Sequence, residues 1–146
     1  MSLIAPCTAA TAQTRATAPS PEIDSLIQRG LSLVAKGDTA EALEVLEQAT
    51  DRAPRNLEAL YQRGRLLTRT TSLGFNNTPR QVLAWRLLTR GADLAPREAR
   101  FLVELARLRL RTPLLRADAE RLLGKAVSVA VAAADTAMIA ESASEF

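Results

Sequence analysis

Residues 42–54 read ALEVLEQATDRAP, and residues 84–96 read AWRLLTRGADLAP. Ala42, Leu46, Ala49 and Pro54 in the first stretch stand at the same offsets as Ala84, Leu88, Gly91 and Pro96 in the second. Upstream of each stretch lies a glycine, Gly30 and Gly64, 34 residues apart. A period of about 34 residues is that of a helix–turn–helix unit that stacks on copies of itself. One such unit cannot bury its apolar face alone, so the pattern implies neighbours.

Working outward, apolar residues recur at helical spacing. Ile23, Leu26, Ile27, Leu31, Leu33 and Val34 mark a helix over about 22–36, ended by Gly37. Asp38, with Glu41 three residues on, reads as a capping box for a second helix over 39–53. Pro54 stops that helix, and Asn56 is a cap for the next, over 57–69. Residues 70–77 are polar and lengthen the second unit by eight. Thr78-Pro79 with Gln81 reopens a helix by the same capping logic. A third pair follows. One helix spans about 97–111, and after Thr112-Pro113 another carries Ala119, Leu123 and Ala126. Asp135 reads as the cap of a last short helix. Residues 1–21, rich in Ala, Thr, Ser and Pro, read as a flexible tail, 22–140 as the repeat domain, and 141–146 as a frayed end.

Composition narrows the chemistry. There is no histidine, and Cys7 is the single cysteine. The commonest general base and metal ligand is thereby missing, and no disulfide or thiolate metal site can form within one chain. No cofactor is expected, and catalysis is disfavoured: there is no Gly-rich phosphate loop and no nucleophile motif. Aromatics are scarce while Ala and Leu abound, which favours helix. From Arg52 to Arg116 there are fourteen Arg and no Lys, against Glu58, Asp93, Glu98 and Glu104. A basic middle of this kind attracts acidic partners. No stretch is long and apolar enough to span a bilayer. The cytoplasm is the favoured compartment, with the periplasm as the alternative if a leader has been removed.

At these residues the chain resembles the tetratricopeptide repeat family. Leu26, Gly30, Leu33, Ala42, Leu46, Ala49 and Pro54 fill a first repeat (about 23–56). Leu60, Gly64, Leu67, Ala84, Leu88, Gly91 and Pro96 fill a second (57–98, with the insertion at 70–77). Leu102, Leu105, Ala106, Ala119, Leu123 and Ala126 fill a degenerate third (99–132), before a C-terminal helix. Arg29 and Arg63 depart from the pattern where Leu is expected. The resemblance implies an all-α, right-handed superhelical stack of antiparallel helix pairs that binds a partner protein or peptide on a concave face.

Carried over by register, that face takes Asp24, Ile27, Gln28 and Leu31 from the first repeat. Glu58, Tyr61, Gln62, Arg65 and Arg69 come from the second, and Arg100, Val103, Glu104, Arg107 and Arg111 from the third. The expected binding residues are Gln28, Leu31, Tyr61, Gln62, Arg65, Arg69, Arg100, Arg107 and Arg111. The arginines suit an acidic peptide, because a guanidinium pairs two-pronged with a carboxylate. The family's carboxylate clamp is not expected, since Ile27, Leu31, Gln62, Arg100 and Glu104 stand at its positions and only Arg100 keeps the charge type. RNA or another polyanion is the alternative ligand of the same face, and self-association through the C-terminal helix is a further expectation. Phe75 is expected to fold onto Trp85.

Overall fold

The computed structural model describes residues 20–71 and 78–143, with backbone alone at 113 and 135–143. Phe75 lies outside the described residues, so its expected contact with Trp85 does too. Among the described residues six α-helices follow one another: α1 (Pro21–Lys36), α2 (Thr39–Arg52), α3 (Leu57–Thr70), α4 (Pro79–Leu94), α5 (Ala99–Leu110) and α6 (Arg116–Ala143). A 3-10 turn, Pro113–Leu115, precedes α6, and there is no strand among the described residues. Helices pair in sequence as α1–α2, α3–α4 and α5–α6, and the pairs stack through α2–α3 and α4–α5. The first helices of successive pairs, α1, α3 and α5, also touch in turn and build one continuous face.

The recurring glycines explain how each pair closes. A Cβ at Gly30 would lie 2.8 Å from Cγ of Leu46, and one at Gly64 would lie 2.7 Å from Cγ of Leu88. Each leucine is therefore seated against bare backbone, and both are almost fully buried. Burying a leucine stabilises by roughly 1.5–3 kcal/mol. Leu46 follows Gly30 by sixteen residues and Leu88 follows Gly64 by twenty-four. The same lock closes both pairs, so the eight extra residues are taken up between the two contacts: six lengthen the connection and two extend the start of α4. Gly91 does the corresponding work between pairs, with the Phe101 ring lying where its Cβ would be. The largest core cluster, Leu60, Leu88, Phe101, Leu102, Leu105 and Ala126, joins all three of α3, α4 and α5 to α6.

The ends of the helices follow local chemistry. Pro21 opens α1 at its first turn, where the missing N–H is no loss. Gly37 closes it with φ 90°, the left-handed conformation that glycine adopts without steric penalty. Asn56 accepts from the Ala59 N–H at 2.9 Å and caps α3. Thr78 and Gln81 form the expected reciprocal box: the Gln81 N–H donates to Thr78 Oγ1 at 3.3 Å and the Thr78 N–H to Gln81 Oε1 at 3.1 Å.

Several expectations are corrected. Asp38 occupies the cap position of α2 but its side chain makes no cap bond. Glu41 instead accepts from Arg29 across the α1–α2 pair at 2.9 Å. Ile27 is not on the open face; it is buried in a cluster with Ile23, Ala49 and Ala59, where the first two repeats meet. In the third pair Ala119 and Ala126 are buried as the pattern requires, but Leu123 is exposed and Leu122 packs on the core in its place. No new helix starts at Asp135, because α6 runs through it to Ala143 as one helix of 28 residues. No glycine or proline follows Gly124 to interrupt it.

Arg63, which stands in a leucine position, is buried. Its Nη1 donates to Thr50 Oγ1 at 2.8 Å and its Nη2 pairs with Glu47. The pair ties α3 back onto α2, so a charged side chain does there what an apolar one does in the repeat pattern.

Candidate functional site

The residues expected to bind a partner lie on α1, α3 and α5 or, for Arg111, just past the end of α5, and the structure divides them into three groups. The first is a hollow of about 400 Å³ toward the C-terminal ends of α3 and α5. Thr68, Arg69, Glu104, Arg107, Leu110 and Arg111 line it. Thr68 comes from the buried side of α3, where its hydroxyl donates back to the Gly64 carbonyl at 2.9 Å. Leu110 is half-exposed at the rim.

The hollow's guanidiniums are held in different ways. Arg107 Nη1 donates to Glu104 Oε1 at 2.6 Å, one turn back on the same helix. Arg111 Nη1 donates to the carbonyl of Thr71 at 2.7 Å, just past the end of α3. This bond completes a backbone acceptor that the helix end leaves open and ties α5 to α3. Arg69 is exposed on the last turn of α3. Glu104 lies beneath them, 1% exposed, with its Oε2 buried and without a hydrogen-bond donor. Arrangement of guanidiniums before a ligand arrives lowers the entropy lost on binding.

The second group is a closed network further along the face. Arg100 donates to Glu58 at 2.6 Å and to Glu98 at 2.5 Å. Its guanidinium also lies 4.7 Å from the ring centre of Tyr61 and 5.3 Å from that of Phe101. Tyr61 meets Phe101 edge to face, with ring centres 5.7 Å apart at 84°. Gln62 donates to Glu58 at 2.7 Å. Burial pushes Glu58 up, but the hydrogen bonds from Gln62 and Arg100 and the charges of Arg100 and Arg65 outweigh it. Its carboxyl is held below the usual range. Arg100 moves the other way: burial lowers it, yet its bonds to Glu58 and Glu98 and their charges raise it above its ordinary value. Arg100 and Tyr61 are thus bound into the fold's own contacts.

Of the remaining residues, Arg65 reaches the second group through its charge on Glu58, while Gln28 and Leu31 stand apart. Gln28 is exposed on α1 and Leu31 is half-buried against the cluster of Ile23, Ile27, Ala49 and Ala59. Arg65 is half-buried, with Nε enclosed and unpartnered. Two features escaped sequence reasoning. In the sequence Glu104 counts only as one of four acids set against fourteen arginines, although a carboxylate three residues before Arg107 on one helix face is a legible pairing. Arg109 stacks its guanidinium 3.8 Å over the Trp85 ring, a contact worth on the order of 1 kcal/mol. Among the described residues there is no cluster of three or more His, Cys, Asp or Glu able to hold a metal. No helix among them is long and apolar enough to cross a membrane.

A stack of helix pairs with a continuous face of first helices defines a helical-repeat protein-interaction module. Residues 23–66 match the tetratricopeptide repeat family, and the two helix pairs that follow the first, α3–α4 and α5–α6, continue the same helix-pair architecture. Among solved structures, the crystal structure of the Yersinia enterocolitica type III secretion translocator chaperone SycD, in an alternative dimer, is similar. The TM-score is 0.63 at 16% identity, covering 87% of this chain and 89% of that one. At that identity the likeness is one of fold. No curated protein sequence matches the chain.

Proposed function

We propose that the chain is a non-catalytic adaptor that holds an acidic segment of a partner protein along the α1–α3–α5 face. The segment would run from Gln28 and Leu31 past Tyr61, Gln62 and Arg65 to the arginine-lined hollow. The observation that carries this reading is the convergence of Arg69, Arg107 and Arg111 on one hollow, two of them already oriented by hydrogen bonds. Carboxylates are the natural complement of such a rim. Arg100, engaged by Glu58 and Glu98, contributes mainly to the fold. The similarity to a translocator chaperone fits a role in holding another protein.

The test is capture of partners from the native organism by the wild-type chain and by R69A and R107A, repeated at low and high salt. Partners that the two variants lose, with binding that weakens as salt rises, support the reading. Equal capture by all three chains at all salt levels overturns it. Polyanion binding through the same face is separated by a gel shift with generic RNA.

A second reading rests on α6. Leu123, Val127 and Val131 lie one turn apart and are exposed, Val127 by 62% and Val131 by 54%. We infer that this stripe supports pairing of two copies, a reading in line with the dimer seen for the Yersinia chaperone. Light scattering on wild type and Val127→Glu tests it: a dimer that the variant converts to monomer supports pairing, and a wild-type monomer at all concentrations refutes it.

A further inference from the structure

Glu104 is the group at the hollow that an arginine-to-carboxylate reading leaves unexplained. It is almost fully buried, its Oε1 is bonded to Arg107, and its Oε2 has no donor. A bare carboxylate oxygen inside a protein is unfavourable, and such an atom persists where something else completes it. Three positive side chains surround this one negative one. A lysine or arginine from a partner would meet net repulsion there, so the completing donor is a neutral N–H or O–H. The same guanidiniums attract a carboxylate to the rim, while Glu104 repels a carboxylate that tries to go deeper.

One residue of an extended chain meets both demands, because its amide N–H and its side chain leave the same backbone unit. We propose that the hollow takes a single acidic residue of the partner segment. Its backbone N–H is donated to Glu104 Oε2, and its carboxylate is held by Arg69 and Arg107. This rests on the reading of the face as a groove for an acidic segment. In the unliganded chain Oε2 is out of reach of solvent, so Arg107 must shift to admit the amide. Its side chain is 60% exposed and its bond to Glu104 runs through Nη1. Leu110 at the rim offers an apolar flank to the neighbouring residue.

The probes are capped decapeptides of serine with a central Asp-Leu-Asp, titrated into the 15N-labelled full chain and followed by NMR. Four relatives of that peptide are compared: Asn-Leu-Asn, the parent methylated at the amide nitrogen of each aspartate in turn, and the parent methylated at the amide nitrogen of a flanking serine. The expected result is tighter binding of the parent than of the Asn peptide. One aspartate methylation weakens binding about tenfold or more, and the serine methylation leaves it nearly unchanged. E104Q weakens the parent similarly and adds no further loss for the methylated peptide. Should E104Q not fold, the methylated peptides on the wild-type chain decide alone. If aspartate methylation costs nothing beyond the serine control, the role given to Glu104 is wrong while the acidic groove stands. If the Asn peptide binds as well as the parent, the carboxylate at the rim is wrong. If the parent does not bind at all, the acidic-groove reading fails with it.

Discussion

Replacing Gly91 by alanine puts the packing argument at risk in a single methyl group. Gly91 is interior to α4, so alanine gains helix propensity of about 1 kcal/mol there. Against that, the new Cβ would sit 2.1 Å from Cε1 and 2.4 Å from Cδ1 of the Phe101 ring. That ring is fully buried in the largest core cluster and cannot simply swing aside. Overpacking of this kind costs typically 1–3 kcal/mol, and a contact this close belongs at the upper end. The net expectation is a loss of about 2 kcal/mol, a fall in Tm of roughly 6–10 °C for a domain of this size. Urea and thermal unfolding followed by circular dichroism at 222 nm measure it. Gly124→Ala is the matched control, because nothing lies within 4 Å of its Cβ. It should be stabilising by up to about 1 kcal/mol. Adding Phe101→Leu to Gly91→Ala should make the glycine substitution less damaging than it is alone, since the flat ring is gone. An alanine at 91 that is neutral or stabilising, with Phe101 in place, would refute the claim that bare backbone seats the next repeat.

Other outcomes follow from single contacts. Arg63→Ala leaves Thr50 without its charged donor and opens a gap between α2 and α3; a loss of about 1–3 kcal/mol is expected in the same unfolding assay. Asn56→Ala removes the α3 cap and should lower stability by about 1 kcal/mol, while Asn56→Gly should lose only a few tenths. Glu58 titrates lower in the folded chain than in the unfolded one, so its contribution is present above the ordinary carboxylate range and fades as pH falls through the folded value. Comparison of Tm from pH 7 down to about pH 3 should show Glu58→Gln flattening the acid limb. The effect should stay under about 1 kcal/mol, because the pair with Arg100 is partly exposed and screened. The raised value of Arg100 adds nothing in this window.

The fold was legible where one residue type has one local use. Glycine opposite leucine at matched places announced the pair locks, and Thr78, Pro79 and Gln81 announced a helix start. These signals are short in range or repeated, so one chain displays them. Arg63 was not legible, because its partners, Thr50 and Glu47, become neighbours only once α3 folds back on α2. The same limit divided the arginines. Arg100 is drawn inward by Glu58, forty-two positions away, whereas Arg107 finds its carboxylate within one turn. Asp38 and Asp135 misled for a different reason. Aspartate is a good cap by type, but the first has the right position without the bond and the second lies within uninterrupted helix.

The connection between the second pair's helices, six residues longer than that of the first, has an engineering corollary. Gly64 still finds Leu88 although the tether between them is longer than the one between Gly30 and Leu46. The closure entropy of a tether grows only with the logarithm of its length. A foreign epitope, a tag or a fluorescent reporter spliced between Thr71 and Thr78 should therefore leave the hinge-like seat intact, giving this scaffold a built-in port for cargo.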